Sequence, residues 1–175
     1  TYYGLDLYKK RRLAELLDKL SEINGIEWIR LHYAYPTHFP DDLISVMRDN
    51  DKICKYLDIP FQHISDKVLQ NMRRGITKEE TYQLIEKLRK EIPDIALRTT
   101  LLVGHPGEGK KEFEELKQFV ADVRFERLGV FPYSEEESTF SAENFKDTLS
   151  NKVKQQRADE IMELQNTISL ELNES

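Results

Sequence analysis

Segments with strand character alternate with segments of helical periodicity along this chain, and this alternation limits its fold more than any other feature. The clearest strand candidate is residues 95–103, which are apolar nearly throughout. Such a run is typical of a strand covered on both faces, as in a parallel sheet. Strand centres near residues 30, 58, 99 and 129 are joined by helical segments. The sequence therefore predicts an α/β fold of parallel strands with right-handed crossovers, and too few strands for a closed eight-stranded barrel.

Element boundaries follow from apolar spacing, capping residues and helix breakers. The predicted strands are residues 26–35, 56–59, 95–103 and 127–131, and residues 134–144 are predicted to form a loop. Helices are predicted at residues 13–23, 41–48 and 67–72, after Thr77, around residues 113–120, and from Lys152 onward. Thr77 and Glu80 have the spacing of a capping box. The residues predicted to share the apolar side of the last helix are Val153, Ile161, Leu164 and Ile168.

Composition limits the functions that this chain can have. It carries 32 acidic and 26 basic side chains, a net charge of −6. Because nucleic-acid binding draws on the neutralisation of phosphates, we expect no direct binding of RNA by this chain. A basic protein partner fits better, although mild acidity is also common in domains without one. The single cysteine, Cys54, excludes an internal disulfide and a metal site made only of cysteines.

The sequence shows no signal for membrane insertion or secretion. No apolar run is long enough to span a bilayer, and the N-terminus lacks the basic start and apolar stretch of a signal peptide. We therefore expect a cytoplasmic protein without a membrane partner.

Polar and aromatic side chains follow each predicted strand. Ligands of parallel α/β folds bind at the carboxyl ends of the strands, so we expect a polar-lined site there. The four clusters are His32, Tyr33, Tyr35, Pro36, Thr37 and His38; Gln62, His63 and Ser65; Gly104, His105, Pro106, Gly107 and Glu108; and Phe131, Tyr133 and Ser134.

Some of these residues have two interpretations. Gly104 and Gly107 either serve the turn or let backbone N–H groups approach a ligand. Gln62 and His63 either bind a ribose or a carboxylate, or are loop residues with partners inside the protein.

Arginines near the predicted site also have alternatives. Arg73 and Arg74 end a predicted helix, where they either complement the helix dipole or form a fork for a ligand carboxylate. Arg98 lies inside an apolar strand, where a charge needs a partner or a cavity. Arg98 and Thr100 lie on the same side of that strand, so both face a ligand if this side lines the barrel. No nucleophile elbow, Walker loop or zinc-protease motif is present, and the catalytic residues stay unknown.

These segments resemble the radical S-adenosylmethionine (SAM) methylthiotransferases, in the branch that modifies an aspartate of ribosomal protein S12. The similarity is carried by residues 1–8, 28–40, 56–65, 69, 72–75, 98–108, 124–129 and 156–165. The segments follow the family's order over nearly the whole chain. The resemblance implies a partial SAM-binding βα barrel of TIM type over residues 1–149, with a C-terminal helix over residues 150–175.

The resemblance also implies cofactors, partners and site residues. The family uses SAM and two [4Fe–4S] clusters, and a cluster cleaves SAM reductively with electrons from a donor. Ribosomal protein S12 would be bound through other domains. The matches to cofactor contacts are Gly104, Pro106, Gly107 and Glu108 behind the adenine, Gln62 and His63 at the ribose, Arg74 at the methionine carboxylate, and Phe131 and Tyr133 beside the adenine.

The sequence departs from the family in several places. The family's cluster-binding cysteine loop and early glycine-rich motif would precede Thr1, and its C-terminal β domain would follow Ser175. We therefore expect no cluster and no activity in this piece alone. His38 and His105 stand where a glycine and an aromatic residue are usual, and Gly109 and Pro132 stand where threonine is usual.

Two other functions stay open. One is a tRNA methylthiotransferase of the same family, which acts on an adenosine. The other is a non-catalytic α/β module that binds a nucleotide or a protein. Because an unpaired sheet edge is a template for association, we also expect a homodimer, formed through that edge or through the last helix.

Overall fold

The computed structural model describes residues 1–174, which form a four-stranded parallel sheet with helices packed against one side. The strands lie in sequence order, and they are β1 Ile29–Leu31, β2 Ile53–Asp58, β3 Ala96–Val103 and β4 Arg127–Pro132. The helices are α1 Leu5–Tyr8, α2 Leu13–Ser21, α3 Asp41–Asp49, α4 Asp66–Asn71, α5 Lys78–Glu91, α6 Lys110–Val123, α7 Phe140–Asn144 and α8 Asn151–Glu174. The predicted α/β fold with parallel strands is confirmed.

The two sides of the sheet differ in how well they are covered. In β3, Leu97, Thr99, Leu101 and Val103 are buried, and the residues between them are only partly covered. Because paired residues of parallel strands point to the same side, the register extends this division to the other strands. The partly covered side is called the open face, and its residues are Arg30, His32, Tyr56, Asp58, Arg98, Thr100, Leu102, Arg127, Gly129 and Phe131.

The core lies between the other side of the sheet and the helices. Leu57 and Leu101 from the two central strands belong to it. Phe61, Phe119 and Phe125 form an aromatic cluster with ring centroids 5.4–6.2 Å apart. The cluster packs the loop after β2 against α6, which fixes the position of that strand end.

The first strand is shorter than the sequence predicts. A strand is predicted over residues 26–35, but only Ile29–Leu31 pairs with β2, and the register shifts between these two residues. Tyr33 has a φ of 63°, a left-handed conformation that a strand does not accommodate. The aromatic and branched residues around β1 therefore belong to an edge, where Trp28 is exposed.

Two helix starts test the capping arguments. The predicted capping box of α5 is confirmed, because Glu80 N–H donates to Thr77 Oγ1 at 3.2 Å and Thr77 N–H donates to Glu80 Oε2 at 2.8 Å. The predicted loop over residues 134–144 is wrong in its second half, which contains α7. The side chain of Thr139 caps this short helix by accepting from Ala142 N–H at 3.3 Å.

The last helix buries polar residues in its first half. Val153 is predicted to lie on the apolar side, but it is exposed. The buried stripe instead begins with Lys154, Arg157 and Ala158, and it then continues through Ile161 as predicted. No helix in residues 1–174 has the length and apolar character needed to cross a membrane.

Candidate cofactor site at the strand ends

The loop after β2 is tied to β3 by backbone hydrogen bonds. Gln62 N–H donates to Thr100 O at 2.9 Å, and Leu102 N–H donates to Gln62 O at 2.7 Å. Gln62 has a φ of 71°, so the chain turns at this residue. Its half-buried side-chain amide makes no hydrogen bond to any residue within 1–174. The backbone of Gln62 is therefore fixed while its amide is free for a ligand.

Arg74 is held between the ends of β1 and β2. Its Nη2 donates to Pro60 O at 2.6 Å, and its guanidinium carbon lies 4.8 Å from the centroid of the Tyr35 ring. The Tyr35 hydroxyl donates in turn to Arg74 O at 2.9 Å. Arg74 Nε is buried and has no partner among the described residues. Because an unpaired buried donor is costly, this group suits a carboxylate or another acceptor.

A buried carboxylate joins the ends of β2 and β3 to α8. Glu108 Oε2 accepts from Gly104 N–H at 2.8 Å and lies 3.2 Å from His63 Nε2. Glu108 Oε1 accepts from Arg157 Nη1 at 2.5 Å, and this Nη1 also donates to Glu108 O at 3.1 Å. These four residues, His63, Gly104, Glu108 and Arg157, are called the Glu108 network. It fixes the loop after β3 against two other elements.

The hydrogen bonds assign the proton on the His63 ring. Ser65 N–H donates to His63 Nδ1 at 3.0 Å, so Nδ1 accepts and Nε2 carries the proton that is donated to Glu108. Both ring nitrogens therefore have protein partners, and the side chains of His63 and Glu108 are fully enclosed. This geometry supports a positioning role for both residues. Their predicted contact with a cofactor stays a prediction.

The two loop glycines make room for side chains of the protein. Gly104 has a φ of 78°, and a Cβ atom there would lie 2.5 Å from Lys154 Cγ. Gly107 has a φ of 99°, and a Cβ atom there would lie 2.5 Å from Asn71 Nδ2. The same Asn71 amide donates to Pro106 O at 3.0 Å. Of the two interpretations of these glycines, the contacts favour the turn and its packing.

Lys154 enters the junction of β4 and α8. Its ammonium donates to Tyr133 O at 3.1 Å and to the carboxylate of Asp147, and it lies 5.0 Å from the centroid of the Tyr133 ring. The Tyr133 hydroxyl is buried without a partner in the described part of the chain. Burial raises the pKa of Tyr133, and nearby carboxylates, first among them Glu135, add to this effect. Tyr133 is therefore a neutral, buried phenol, and its ring packs against Lys154 of α8 at the end of β4.

His105 is enclosed beside Tyr133. Its ring lies edge-on to the Tyr133 ring, with centroids 5.0 Å apart. His105 Nδ1 donates to Pro106 O at 2.9 Å, so Nε2 is the acceptor for the Ser141 hydroxyl at 2.8 Å. Burial lowers the pKa of His105, which agrees with a neutral ring. The loop after β3 is thereby tied to α7 as well as to α8.

Three predicted site residues lie on the open face. Phe131, at the end of β4, is 59% exposed. Thr100 lies between Leu102 and Arg98 on β3 and is partly exposed. Arg98 donates from Nη1 to Asp58 Oδ2 at 2.5 Å and is partly exposed, so this charge has both a partner and access to solvent.

The predicted site residues thus separate into two groups. Gln62, Arg74, Arg98, Thr100 and Phe131 present free or exposed groups, whereas His63, Gly104, Pro106, Glu108 and Tyr133 are enclosed. Gly107 is exposed in the loop, next to Asn71. Sequence reasoning missed Lys154 and Arg157, the two buried cations of α8. Their spacing from Ile161 is helical and could have indicated a shared buried side.

The loop after β1 contributes to a different concavity. Thr37 and His38, predicted to join the strand-end site, line a cavity of about 260 Å³ between α3 and α5. No group of three or more His, Cys, Asp or Glu side chains in residues 1–174 could hold a metal ion.

Comparison with known proteins agrees with this geometry. The model of the radical SAM superfamily matches residues 2–120. Among curated proteins, the ribosomal protein uS12 methylthiotransferase RimO of Bacteroides fragilis is 61% identical over 175 residues, which is all of this chain and 40% of that protein. The protein of the same name from Porphyromonas gingivalis is 58% identical over the same length. The chain thus spans about 40% of the length of these relatives.

Solved structures share the fold at low sequence identity. Coproporphyrinogen III oxidase (HemN) from Escherichia coli, a radical SAM enzyme, matches with a TM-score of 0.69 and 21% identity over 90% of this chain and 36% of that one. The radical SAM methyltransferase TsrM from Kitasatospora setae matches with a TM-score of 0.55 and 20% identity over 68% of this chain and 24% of that one. The parallel sheet, the strand-end site and the family match lead to one conclusion: this chain belongs to the radical SAM superfamily.

Proposed function

We propose that the protein carrying this chain adds a methylthio group to an aspartate of ribosomal protein uS12, and that the chain supplies part of its SAM-binding barrel. The observation that carries the proposal is 58–61% identity over the whole chain to relatives named as uS12 methylthiotransferases. The match to these relatives spans the whole chain, so it covers the four strand ends and α8.

The free groups at the strand ends match the parts of SAM. The Gln62 amide suits ribose hydroxyls, and the unpaired Nε of Arg74 suits the methionine carboxylate. The exposed ring of Phe131 offers a flat surface on which an adenine can stack. The Thr100 hydroxyl lies beside them on β3. The residues present therefore fit this cofactor.

The chain's own residues bind and orient the cofactor in this proposal. When bound, SAM supplies the radical chemistry after which the superfamily is named. Pro60 and Tyr35 hold Arg74 in place, so little freedom is lost when it pairs with a carboxylate. The supports behind the contact residues are His63, Gly104, Pro106, Gly107, Glu108 and Tyr133.

The iron–sulfur clusters of the superfamily do not fit residues of this chain. A [4Fe–4S] cluster is held by several cysteine thiolates, and Cys54 is the single cysteine in the sequence. We assign both clusters, and their reduction by an electron donor, to other parts of the enzyme. No catalytic residue is assigned within this chain.

Titration calorimetry of the enzyme with SAM tests the binding residues. We expect Arg74→Ala and Gln62→Ala each to weaken SAM binding by about tenfold, because each removes a charge-assisted or neutral hydrogen bond. The matched controls are Arg48→Ala and Gln70→Ala, whose side chains are exposed on α3 and on α4. Equal affinities in the test and control variants would contradict the proposed SAM contacts.

Mass spectrometry of reaction products tests the substrate. The enzyme is incubated with uS12 and, separately, with tRNA, and we expect a methylthio mass increase on an aspartate of uS12 only. Modification of tRNA would instead favour the adenosine reaction of the same family. SAM binding without modification of either would favour a non-catalytic module.

Location, domain division and assembly are further parts of the proposal. We propose that the enzyme acts in the cytoplasm on its ribosomal protein. We also propose that residues 1–149 form the barrel core and 150–175 a C-terminal helical unit, in which residue 175 lies outside the described residues. A homodimer through the edge of β1 or through α8 stays a prediction. Its basis at β1 is the exposed strand edge, since β1 pairs only with β2 among the described strands. Light scattering at high protein concentration checks it, and a monodisperse monomer would contradict it.

A further inference from the structure

One row of polar side chains crosses the open face, from the residue directly after β1 to β2, β3 and β4. The register places Asp58 beside Arg98 and Arg98 beside Arg127. On the other side of Asp58, His32 Nδ1 lies 3.9 Å from Asp58 Oδ2. His32, Asp58, Arg98 and Arg127 are called the polar row. A layer here means the residues at one height across the open face, and neighbouring layers are two residues apart along each strand. The polar row lies one layer below Thr100, a distance of about 7 Å at 3.3 Å per residue along β3.

The polar row is positive in a chain whose net charge is negative. The chain carries a net charge of −6, yet its open face has three arginines against a single carboxylate. Arg30, the third arginine, lies one layer lower, with its guanidinium carbon 5.1 Å from the centroid of the Tyr56 ring. Asp58 pairs with Arg98 at 2.5 Å and lies 3.9 Å from His32 Nδ1, so the charge of Arg127 is not compensated within the row.

The hydrogen-bonding groups of the row are incompletely used. Asp58 is 4% exposed, and its Oδ1 has no partner among the described residues. Arg98 uses only Nη1 in its contact with Asp58, and its side chain is 39% exposed. Arg127 is exposed, and its one side-chain hydrogen bond in the described residues goes from Nη1 to Glu126 O. The row therefore offers guanidinium N–H groups that lack an acceptor, next to a carboxylate oxygen that lacks a donor.

An aspartyl residue within a peptide supplies both missing partners. Its side-chain carboxylate can accept two N–H groups from a guanidinium, and its backbone N–H can donate to a carboxylate oxygen. A neutral amide in place of that carboxylate would lose the charge-assisted bonds. The chemistry of the row thus favours an acidic residue over its amide.

We propose that the polar row binds the side-chain carboxylate of the acceptor aspartate, with Arg98 and Arg127 as the carboxylate contacts and Asp58 as the backbone acceptor. This inference rests on the proposed function, because it takes its ligand from the uS12 reaction. It places the carboxylate one layer below the residues assigned to SAM. Arg98, predicted from the sequence to contact the cofactor, here contacts the substrate instead.

Peptide binding to the enzyme tests the row. Two fluorescent peptides are compared, one with the uS12 sequence around the acceptor aspartate and one with asparagine at that position. We expect Arg127→Gln and Arg98→Gln to weaken binding of the aspartate peptide by about tenfold or more and to leave the asparagine peptide unchanged. Discrimination between the peptides is then lost, while SAM affinity measured by calorimetry stays that of the wild type.

Control variants distinguish a specific effect of the polar row on peptide binding from the effects of a lost positive charge or of misfolding. Arg124→Gln makes the same charge change on the helical side, where Arg124 pairs with Glu171 of α8 at 2.7 Å, and it should leave both peptides unaffected. Arg127→Gln removes no ion pair, so it tests the row even if Arg98→Gln, which leaves Asp58 unpaired, fails to fold.

The outcomes also separate this inference from the proposed function. Wild-type discrimination that persists in Arg127→Gln and Arg98→Gln would overturn the inference alone. A loss of SAM affinity in parallel with peptide affinity would overturn it in favour of a cofactor contact. Wild-type enzyme that binds SAM and tRNA but neither peptide would overturn the proposed substrate, and the inference with it.

Discussion

Two buried carboxylates, Glu108 and Asp58, lie at the centres of two polar clusters that differ in how completely they are paired. Glu108 uses both oxygens, in bonds to the loop after β3, to His63 and to Arg157 of α8. Asp58 uses one oxygen, in contact with a half-exposed Arg98, and its Oδ1 has no partner in residues 1–174.

The difference separates a scaffold from a binding surface. A closed network of buried charges fixes its neighbours, and it has no group left for a ligand. An incomplete network at a surface keeps hydrogen-bonding groups for a molecule that completes it. The Glu108 network is closed and the polar row is incomplete, so stability should depend on the first and ligand binding on the second.

The largest expected effect on stability is at the closed network. Glu108→Ala leaves Arg157 as a buried cation without its partner, and it removes the acceptor of His63 and Gly104. We expect a loss of about 3–5 kcal/mol in the free energy of unfolding, the range for breaking one side of a buried pair. Urea unfolding measures it.

A control on α6 makes the same charge change in solvent. Glu114 is exposed and pairs with Lys117 at 2.8 Å, so Glu114→Ala should cost no more than about 0.5 kcal/mol. Equal losses for Glu108→Ala and Glu114→Ala would mean that the buried network does not stabilise the fold.

The next effect comes from the glycine inside the same network. In Gly104→Ala the new methyl group meets Lys154, and the residue keeps an unfavourable positive φ, so we expect a loss of about 1–3 kcal/mol. Adding Lys154→Ala should recover the part due to the clash, which a double-mutant cycle measures.

Gly129→Ala is the matched control for this substitution. No atom lies within 4 Å of a Cβ atom built at Gly129, on the open face of β4, so its effect on stability should be small. Additive losses for Gly104→Ala and Lys154→Ala would show that the two residues do not contact each other in solution.

A smaller loss is expected at the polar row. Asp58→Asn keeps the shape of the side chain and weakens its bond to Arg98, which solvent already screens in part. We expect a loss of about 1 kcal/mol in the free energy of unfolding, measured in the same urea experiments. A loss as large as that of Glu108→Ala would erase the proposed distinction between the two clusters.

The fold was predictable because its signals are local. The apolar run of β3, the apolar spacing of α2 and the capping box of Thr77 each depend on a few neighbouring residues. The short β1 and the helix α7 were not predicted. At β1 the edge position and the turn at Tyr33 outweigh the strand propensity of the segment.

The site was predictable in outline only. Strand ends can be located from sequence, and free groups such as Gln62 and Arg74 do lie there. The enclosure of His63 depends on Glu108 and Arg157, which lie 45 and 94 positions further along the chain. Pairing over such distances is decided by packing, and no spacing rule in the sequence reports it.

The smallest expected effect is a pH dependence at the loop that the closed network holds. Burial lowers the pKa of His105 in the folded protein, whereas an unfolded histidine titrates near 6.5. Between the folded and unfolded pKa values the unfolded state binds more protons, so stability falls as the pH falls below about 6.5. One proton limits the slope to about 1.4 kcal/mol per pH unit.

Urea unfolding between about pH 7.5 and about pH 5.5 measures this slope. Wild-type protein should lose more stability on acidification than His105→Gln, which has no ring to protonate and can still reach Ser141 or Pro106. If His105→Gln lost as much stability as the wild type, folding would not lower the pKa of His105. The ring would then be open to solvent in the folded protein, which requires the loop after β3 to move. The closed network would then be less rigid than its hydrogen bonds indicate.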